Sequence, residues 1–304
     1  MMQKSVRSVL FSRCSIRNSS TFKFASAIEC IRTDGNNFTA NLAKSWNIGD
    51  SPNGGYVMSV AINAAQQCQK LQDPLSFTAY YLTKADVGPA DISVEVLSSS
   101  NSTSTVQVSL SQGGVLRSRY MGVFGDLSRL KGISHSALSA PELPNVSDCL
   151  DGNECLRKNV GDHLQIAINT EFRLSREHPF AKNFLLNGKV STEAYIDCWL
   201  SFPDGEIPTP ESFPLFLDCY PPVLNIIASN WIPTMDYTIH TWCRPSSEHF
   251  IVAEGKHWIR ARFATDFVKN SLLYTDAQLW SADGQVLLGT ARQMAKIWIP
   301  KSDK

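Results

Sequence analysis

The chain has 304 residues, enough for two domains of ordinary size or one large one. Its 28 Lys and Arg balance 28 Asp and Glu, which argues against nucleic acid as the main partner, because that would favour a basic face. Charged residues make up only 18%, so a large core can be buried, yet no run of about 20 apolar residues is present to span a membrane.

Residues 1–28 contain no acid, but they carry Lys4, Arg7, Arg13, Arg17 and Lys23 among many serines. That is the composition of a mitochondrial transit peptide, and residues 1–21 are read as such an extension. The alternative is a loose start to a cytoplasmic protein. Short strands are expected from residue 22 to 46. A polar, Pro- and Gly-containing stretch follows, from Ile48 to Tyr56, which halts a strand and opens a helix. Val57, Val60, Ala61, Ala64, Ala65 and Cys68 then recur at three- and four-residue steps, so a helix with a small-residue stripe is expected to lie close against a sheet.

After Pro74 the period changes to two. Phe77, Ala79 and Tyr81 mark one strand; Ile92, Val94 and Val96 a second; Val106, Val108 and Leu110 a third. Gln112-Gly113-Gly114 reads as a hairpin turn into a fourth strand over 115–124. One helix followed by an antiparallel meander is an α+β arrangement, with the sheet wrapped around the helix. Residues 126–159 are polar and turn-rich, show no convincing helix or strand pattern, and are read as a linker.

The order then repeats. Ala194, Ile196 and Cys198 suggest a strand ended by Pro203-Asp204-Gly205. An apolar segment, 213–230, takes the place of the first helix. Strands are expected over 237–243, 258–263, 272–280 and 286–298, with a hairpin at Ala282-Asp283-Gly284. Pro221-Pro222 stands where Gly54-Gly55 stood. An internal duplication fits this succession, with domains over 22–125 and 160–304.

The apolar segment carries one acid, Asp218. A carboxylate in such a run is either paired or chemically employed, because burying an unpaired charge is expensive. It could equally be a helix cap or a structural ion-pair partner. The eight cysteines form no CxxC pair and no Cys/His cluster with zinc spacing, so neither disulfides nor a metal are expected. No GxSxG elbow, GxGxxG or Walker loop occurs, which disfavours a serine hydrolase and nucleotide-cofactor chemistry. No cofactor is expected.

Five stretches together resemble a known family. They are IGDSPNGGYVMSVAINAA, SFTAYYLTKADVGPADISVEVL, LDCYPPVLN, WIPTMDYTIHTW and YTDAQLWSADGQVLLGTARQMAKIW. The set is similar to the double-hotdog acyl-CoA thioesterases of the thioesterase II type, over residues 22 to 299. The resemblance implies a tandem hotdog, with two antiparallel sheets each wrapped around a long central helix. It implies an acyl-CoA substrate and leaves room for a homo-oligomer of double-hotdog chains. Carried over position by position, the family's catalytic Asp, Thr and Gln fall on Asp218, Thr234 and Gln293. Thr238 is the other threonine that could be aligned.

A carboxylate beside a positioned water can act as a general base. A Thr hydroxyl and a Gln amide can hold that water, since each offers donor and acceptor atoms. Backbone N–H groups at a helix N-terminus can meet the oxyanion, and Ser51, Asn53, Gly54, Gly55 and Tyr56 are expected to contact substrate there. Each residue also has a plain structural reading: Thr is common at strand starts, and Gln293 could be an ordinary strand polar residue. His240 reads as a core or lining residue rather than a base. Aligning the halves puts Ser51 opposite Asp218 and Gly122 opposite Gln293, which predicts one site per chain. The alternative function is a non-catalytic acyl-binding hotdog protein.

Overall fold

The computed structural model describes residues 23–160, 165–189, 193–220 and 232–297. The N-terminal extension, Pro221-Pro222, Asn230 and Trp231 lie outside the described residues.

In the first half, helix α1 (Lys23–Ala27) precedes strands β1 (Ile31–Asp34) and β2 (Asn37–Leu42). The two-residue strands β3 (Asn47–Ile48) and β4 (Ser51–Pro52) pair with each other and lead into helix α2 (Gly54–Gln66). The meander follows as β5 (Asp73–Tyr81), β6 (Gly88–Ser99), β7 (Ser104–Gln112) and β8 (Val115–Gly125). β7 shows the burial alternation that period-two residues demand: Val106, Val108 and Leu110 are buried, with half-buried polar residues between them.

The segment read as a featureless linker holds more than turns. It contains β9 (Leu150–Asp151) and helix α3 (Gly152–Val160). Asp151 accepts a hydrogen bond from the Glu154 N–H at 2.9 Å, and Glu154 pairs with Lys158 one turn on. These local signals start a helix that the turn-rich composition around it obscures.

The second half runs through β10 (Glu171–Leu174), β11 (Tyr195–Ser201), helix α4 (Phe213–Phe216) and β12 (Thr234–Thr241). It ends in β13 (Ile251–Ala253), β14 (Lys256–Lys269), β15 (Leu272–Trp280) and β16 (Leu287–Lys296). The long helix expected over 213–230 is described only as far as residue 220. There it is a 3₁₀ turn at Pro210–Ser212 followed by the four-residue α4.

Two sheets, continuous or adjacent and each wrapped around its own long helix, were expected; apart from the β3–β4 pair, the described strands form one continuous sheet. Its order is β1-β2-β6-β7-β8-β5-β12-β16-β15-β14-β11-β10-β9, with β13 paired to β14, a 14-stranded antiparallel sheet. The halves join where β5 pairs with β12, from Ser76↔His240 to Tyr80↔Asp236. That pairing removes two unpaired strand edges at once. The register is symmetric about Thr78 and Thr238, whose hydroxyls lie 3.0 Å apart. The fold is hotdog-like in that α2 packs against β2, β5, β6 and β7 of this sheet. Its far side is covered by α4, so α2 is buried nearly all round rather than along one stripe.

Candidate active site

The site forms where the two halves meet over the N-terminus of α2. The Asn53 side chain caps that helix, accepting from the Tyr56 N–H at 2.8 Å. The same side chain turns its amide outward, and Asn53 Nδ2 donates to Asp218 Oδ2 at 2.9 Å. The Gly55 N–H donates to that oxygen as well, also at 2.9 Å. Gln293 Nε2 donates to the other oxygen, Oδ1, at 3.1 Å. One carboxylate therefore collects two donors from the first half and one from the last strand of the second.

Gly55 makes this approach possible. A Cβ there would lie 2.0 Å from the Pro214 carbonyl oxygen and 3.0 Å from the Asp218 Cβ. Only a residue without a side chain lets α2 and α4 come this close.

Thr234 donates through Oγ1 to Gln293 Oε1 at 2.7 Å. That bond fixes which way the Gln293 amide faces, leaving its NH₂ toward Asp218. A β-bulge between Thr234 and Asp236 brings Thr234 to the inner face of β12. Thr238 stays on the outer face, bonded to Thr78. Of the two threonines, the structure brings Thr234 and not Thr238 to Gln293.

Asp218 is 8% exposed and Gln293 5% exposed. Burial pushes the Asp218 carboxyl up from its ordinary 3.8 to about 6, against the lowering pull of Gly55, Gln293 and Asn53. The group stays ionised at neutral pH but becomes a far better proton acceptor than a surface carboxylate. Oδ2 takes two donors and Oδ1 only one, so Oδ1 keeps the spare acceptor capacity.

These groups line a cavity of about 380 Å³. Asp218, Gln293, Thr234, Asn53, Gly54 and Ser51 contribute its polar wall, and Val57, Leu273, Ala295 and Ile232 are among its apolar lining. A polar cluster at one place in an apolar pocket suits a ligand with one reactive group and an apolar tail.

Three of the residues expected to contact substrate, Ser51, Gly55 and Tyr56, already have polar groups engaged with the protein. Tyr56 is fully buried, and its hydroxyl bridges the Ala43 N–H and the Ala27 carbonyl, away from the cavity. The Gly55 N–H is committed to Asp218 and the Tyr56 N–H to Asn53. Among the described residues no hydrogen bond engages the Gly54 N–H. The Ser51 hydroxyl donates to the Ala85 carbonyl. His240 stacks on Trp242 and does not line the cavity.

Sequence reasoning missed Tyr81, whose hydroxyl donates to the Gly54 carbonyl at 2.8 Å and whose side chain lines the cavity. It read as an ordinary member of a period-two strand face, and nothing in the sequence marks its reach onto α2.

Among the described residues, the first half holds no second copy of this arrangement. Symmetry about Thr78 and Thr238 makes Tyr237 correspond to Phe77, and their neighbours Gln293 and Gly122 correspond in turn. A Cβ on Gly122 would stand 2.2 Å from the Phe77 ring, so an aromatic fills the space that the amide occupies in the second half.

The family model for the N-terminal domain of acyl-CoA thioesterases matches residues 42–125, and that for the C-terminal domain matches residues 154–297. Among solved structures, a protein of Thermobifida fusca YX named as a thioesterase II is 22% identical, with a TM-score of 0.77 over 91% of this chain and 98% of its own. A conserved Alicyclobacillus acidocaldarius protein described as having a hot dog fold is 20% identical, with a TM-score of 0.75 over the same shares of the two chains, 91% and 98%. The tesB protein of Mycobacterium avium subs paratuberculosis is 16% identical, with a TM-score of 0.68 over 91% and 98%. At these identities the likeness establishes the hotdog fold. No curated protein matches the chain significantly.

Proposed function

Since the chain belongs to the acyl-CoA thioesterase family, we propose that it hydrolyses acyl-CoA to free fatty acid and CoA, with Asp218 activating the attacking water. The observation that carries this is the Asp218 carboxylate: buried at the cavity wall, held by three donors, with Oδ1 still able to accept.

In this reading a water donates one hydrogen to Oδ1 as its oxygen attacks the thioester carbon. The proton passes to Asp218, and the carbonyl oxygen becomes an oxyanion facing the Gly54 N–H. Gln293 helps place the water through its remaining N–H. Thr234 fixes Gln293, because its own proton is already given to Oε1. Collapse of the tetrahedral intermediate breaks the carbon–sulfur bond, and the proton on Asp218 goes to the departing thiolate. The carboxylate is regenerated and no covalent enzyme intermediate is formed.

The chain would then be a double hotdog, with domains 22–125 and 160–304 imitating a dimer and residues 126–159 joining them. Gly122 and Phe77 support a single active site, at the second half's Asp218. The basic, acid-poor residues 1–21 support delivery to mitochondria, which a fluorescent fusion of those residues would test.

The function is tested with purified protein and acyl-CoAs of graded chain length, reading free thiol. Thiol release that disappears in Asp218→Asn is expected. Acyl-CoA that binds the wild-type protein but releases no thiol would replace this reading with a non-catalytic acyl-binding role.

A further inference from the structure

The Tyr81 hydroxyl and the Asp218 carboxylate do not bond each other, yet they grip the same peptide. Tyr81 donates to the Gly54 carbonyl oxygen at 2.8 Å, and the Gly55 N–H donates to Asp218 Oδ2 at 2.9 Å. That C=O and that N–H belong to one planar unit, so fixing one end orients the other. We infer that Tyr81 is a positioning residue of this site, locking the peptide between Gly54 and Gly55 so that its N–H stays aimed at Asp218. The inference rests on the reading of Asp218 as the base.

The peptide lies in the first turn of α2, whose backbone already orients it, and Tyr81 adds a side-chain hold on the same carbonyl at the helix end. The peptide joins two glycines, which hold their own orientation less firmly than any other residue. The two hydrogen bonds also polarise the peptide in the same sense, which makes the Gly55 N–H a stronger donor to Asp218. Space is arranged to match: a Cβ on Gly54 would lie 3.0 Å from the Tyr81 hydroxyl and 3.3 Å from Asp218 Oδ2.

Tyr81 acts here as a neutral donor. Burial, with Tyr120, Asp218 and Tyr237 nearby, holds its proton far above the ordinary phenol range. Among the described residues, the other titratable groups around Asp218 are Tyr237 of β12, which donates to the Pro214 carbonyl, and Cys219 of its own segment, bonded to the Leu215 carbonyl; Lys84 and Arg117, the latter paired with Asp86, line the same cavity. Burial keeps Tyr237 and Cys219 protonated. Asn53, Gly54 and Gly55 of the α2 end and Gln293 of β16 carry no charge. A change in the acid limb of activity on altering Tyr81 therefore reports the peptide rather than a lost charge.

Tyr81→Phe removes only the hydroxyl. The expected result is a kcat about tenfold lower, a KM within about twofold, and an acid limb of the kcat/KM profile moved upward by about half a pH unit. Gly54→Ala, which crowds the hydroxyl off the carbonyl, should move the limb in the same direction, and serves if Tyr81→Phe does not fold. Tyr120→Phe removes a hydroxyl bonded to Ser118 from a ring edge-on to Tyr81, and should leave the limb in place. Carbon-13 titration of the Asp218 carboxyl, assigned with Asp218→Asn, reads the same shift without turnover. If the wild-type protein hydrolyses no acyl-CoA but this titration moves in Tyr81→Phe, the peptide lock stands and the hydrolysis reading fails. An unmoved limb and titration in Tyr81→Phe, or a raised KM with unchanged kcat, would overturn the inference and leave Tyr81 as cavity wall.

Discussion

Gly55 and Pro214 meet backbone to backbone: a Cβ on Gly55 would stand 2.0 Å from the Pro214 carbonyl oxygen. That oxygen already accepts the Tyr237 hydroxyl at 2.8 Å, so it cannot simply swing away. The contact sets the distance between the helix that supplies two of the donors and the segment that carries Asp218. Gly55→Ala must push α4 off α2. Overpacking of this kind costs about 1–3 kcal/mol, and here it also stretches the Gly55–Asp218 bond. We expect a lower denaturation midpoint together with a kcat reduced by about a hundredfold or more. A variant with wild-type kcat would show that the close approach serves packing alone.

Asp218→Asn should lower kcat by about 10²–10⁴-fold while raising stability at neutral pH. The sign follows from the carboxyl's upward shift, from 3.8 to about 6. The folded protein holds that proton more tightly than the unfolded chain, so this group's contribution to stability falls as pH rises through that window. Above it the full cost is present, about 3 kcal/mol by linkage. An amide at 218 removes the cost. Its oxygen can keep the Gly55 and Asn53 bonds, and its NH₂ can be met by turning the Gln293 amide over, with the Thr234 hydroxyl then accepting. Thermal melts at pH 7 and pH 4 check this: the variant should gain at pH 7 and lose that gain at pH 4.

Activity should fall as the base is protonated. With Asp218 titrating at about 6, kcat/KM is expected to be level above that pH and to drop about tenfold per unit below it. A pH–rate series with a stable acyl-CoA measures it. A flat profile down to pH 5 would exclude Asp218 as the base.

Thr234→Val and Gln293→Ala should each cost less than Asp218→Asn. Thr234 acts through Gln293, by the 2.7 Å bond to Oε1, so its loss frees the amide without removing it. We expect about a tenfold loss for Thr234→Val and a larger one for Gln293→Ala. The double variant should be no worse than Gln293→Ala alone, since both act on one amide. Additive losses in that cycle would mean that Thr234 contacts the substrate or the water on its own.

The period-two strands and the first-half helix that follows the polar stretch from Ile48 could be read from the residues, because local hydrophobic spacing and turn chemistry specify them. Asp218 stood out for the same reason, as a lone acid in an apolar run. Helix α3 did not stand out, because its capping Asp151 sits in a turn-rich stretch whose composition outweighs it. The pairing of β5 with β12 could not be read either: it joins edges about 160 residues apart, as in the Thr78–Thr238 contact, and no local pattern records which edges meet. Which of Thr234 and Thr238 meets Gln293 belongs to the same class. Strict alternation would put both on one face, and only the bulge at Thr234 turns one of them inward to Gln293. Residue types and spacing determined which elements form; long-range pairing and a single extra residue in one strand decided which side chains meet, because those depend on contacts that exist only once the chain has closed on itself.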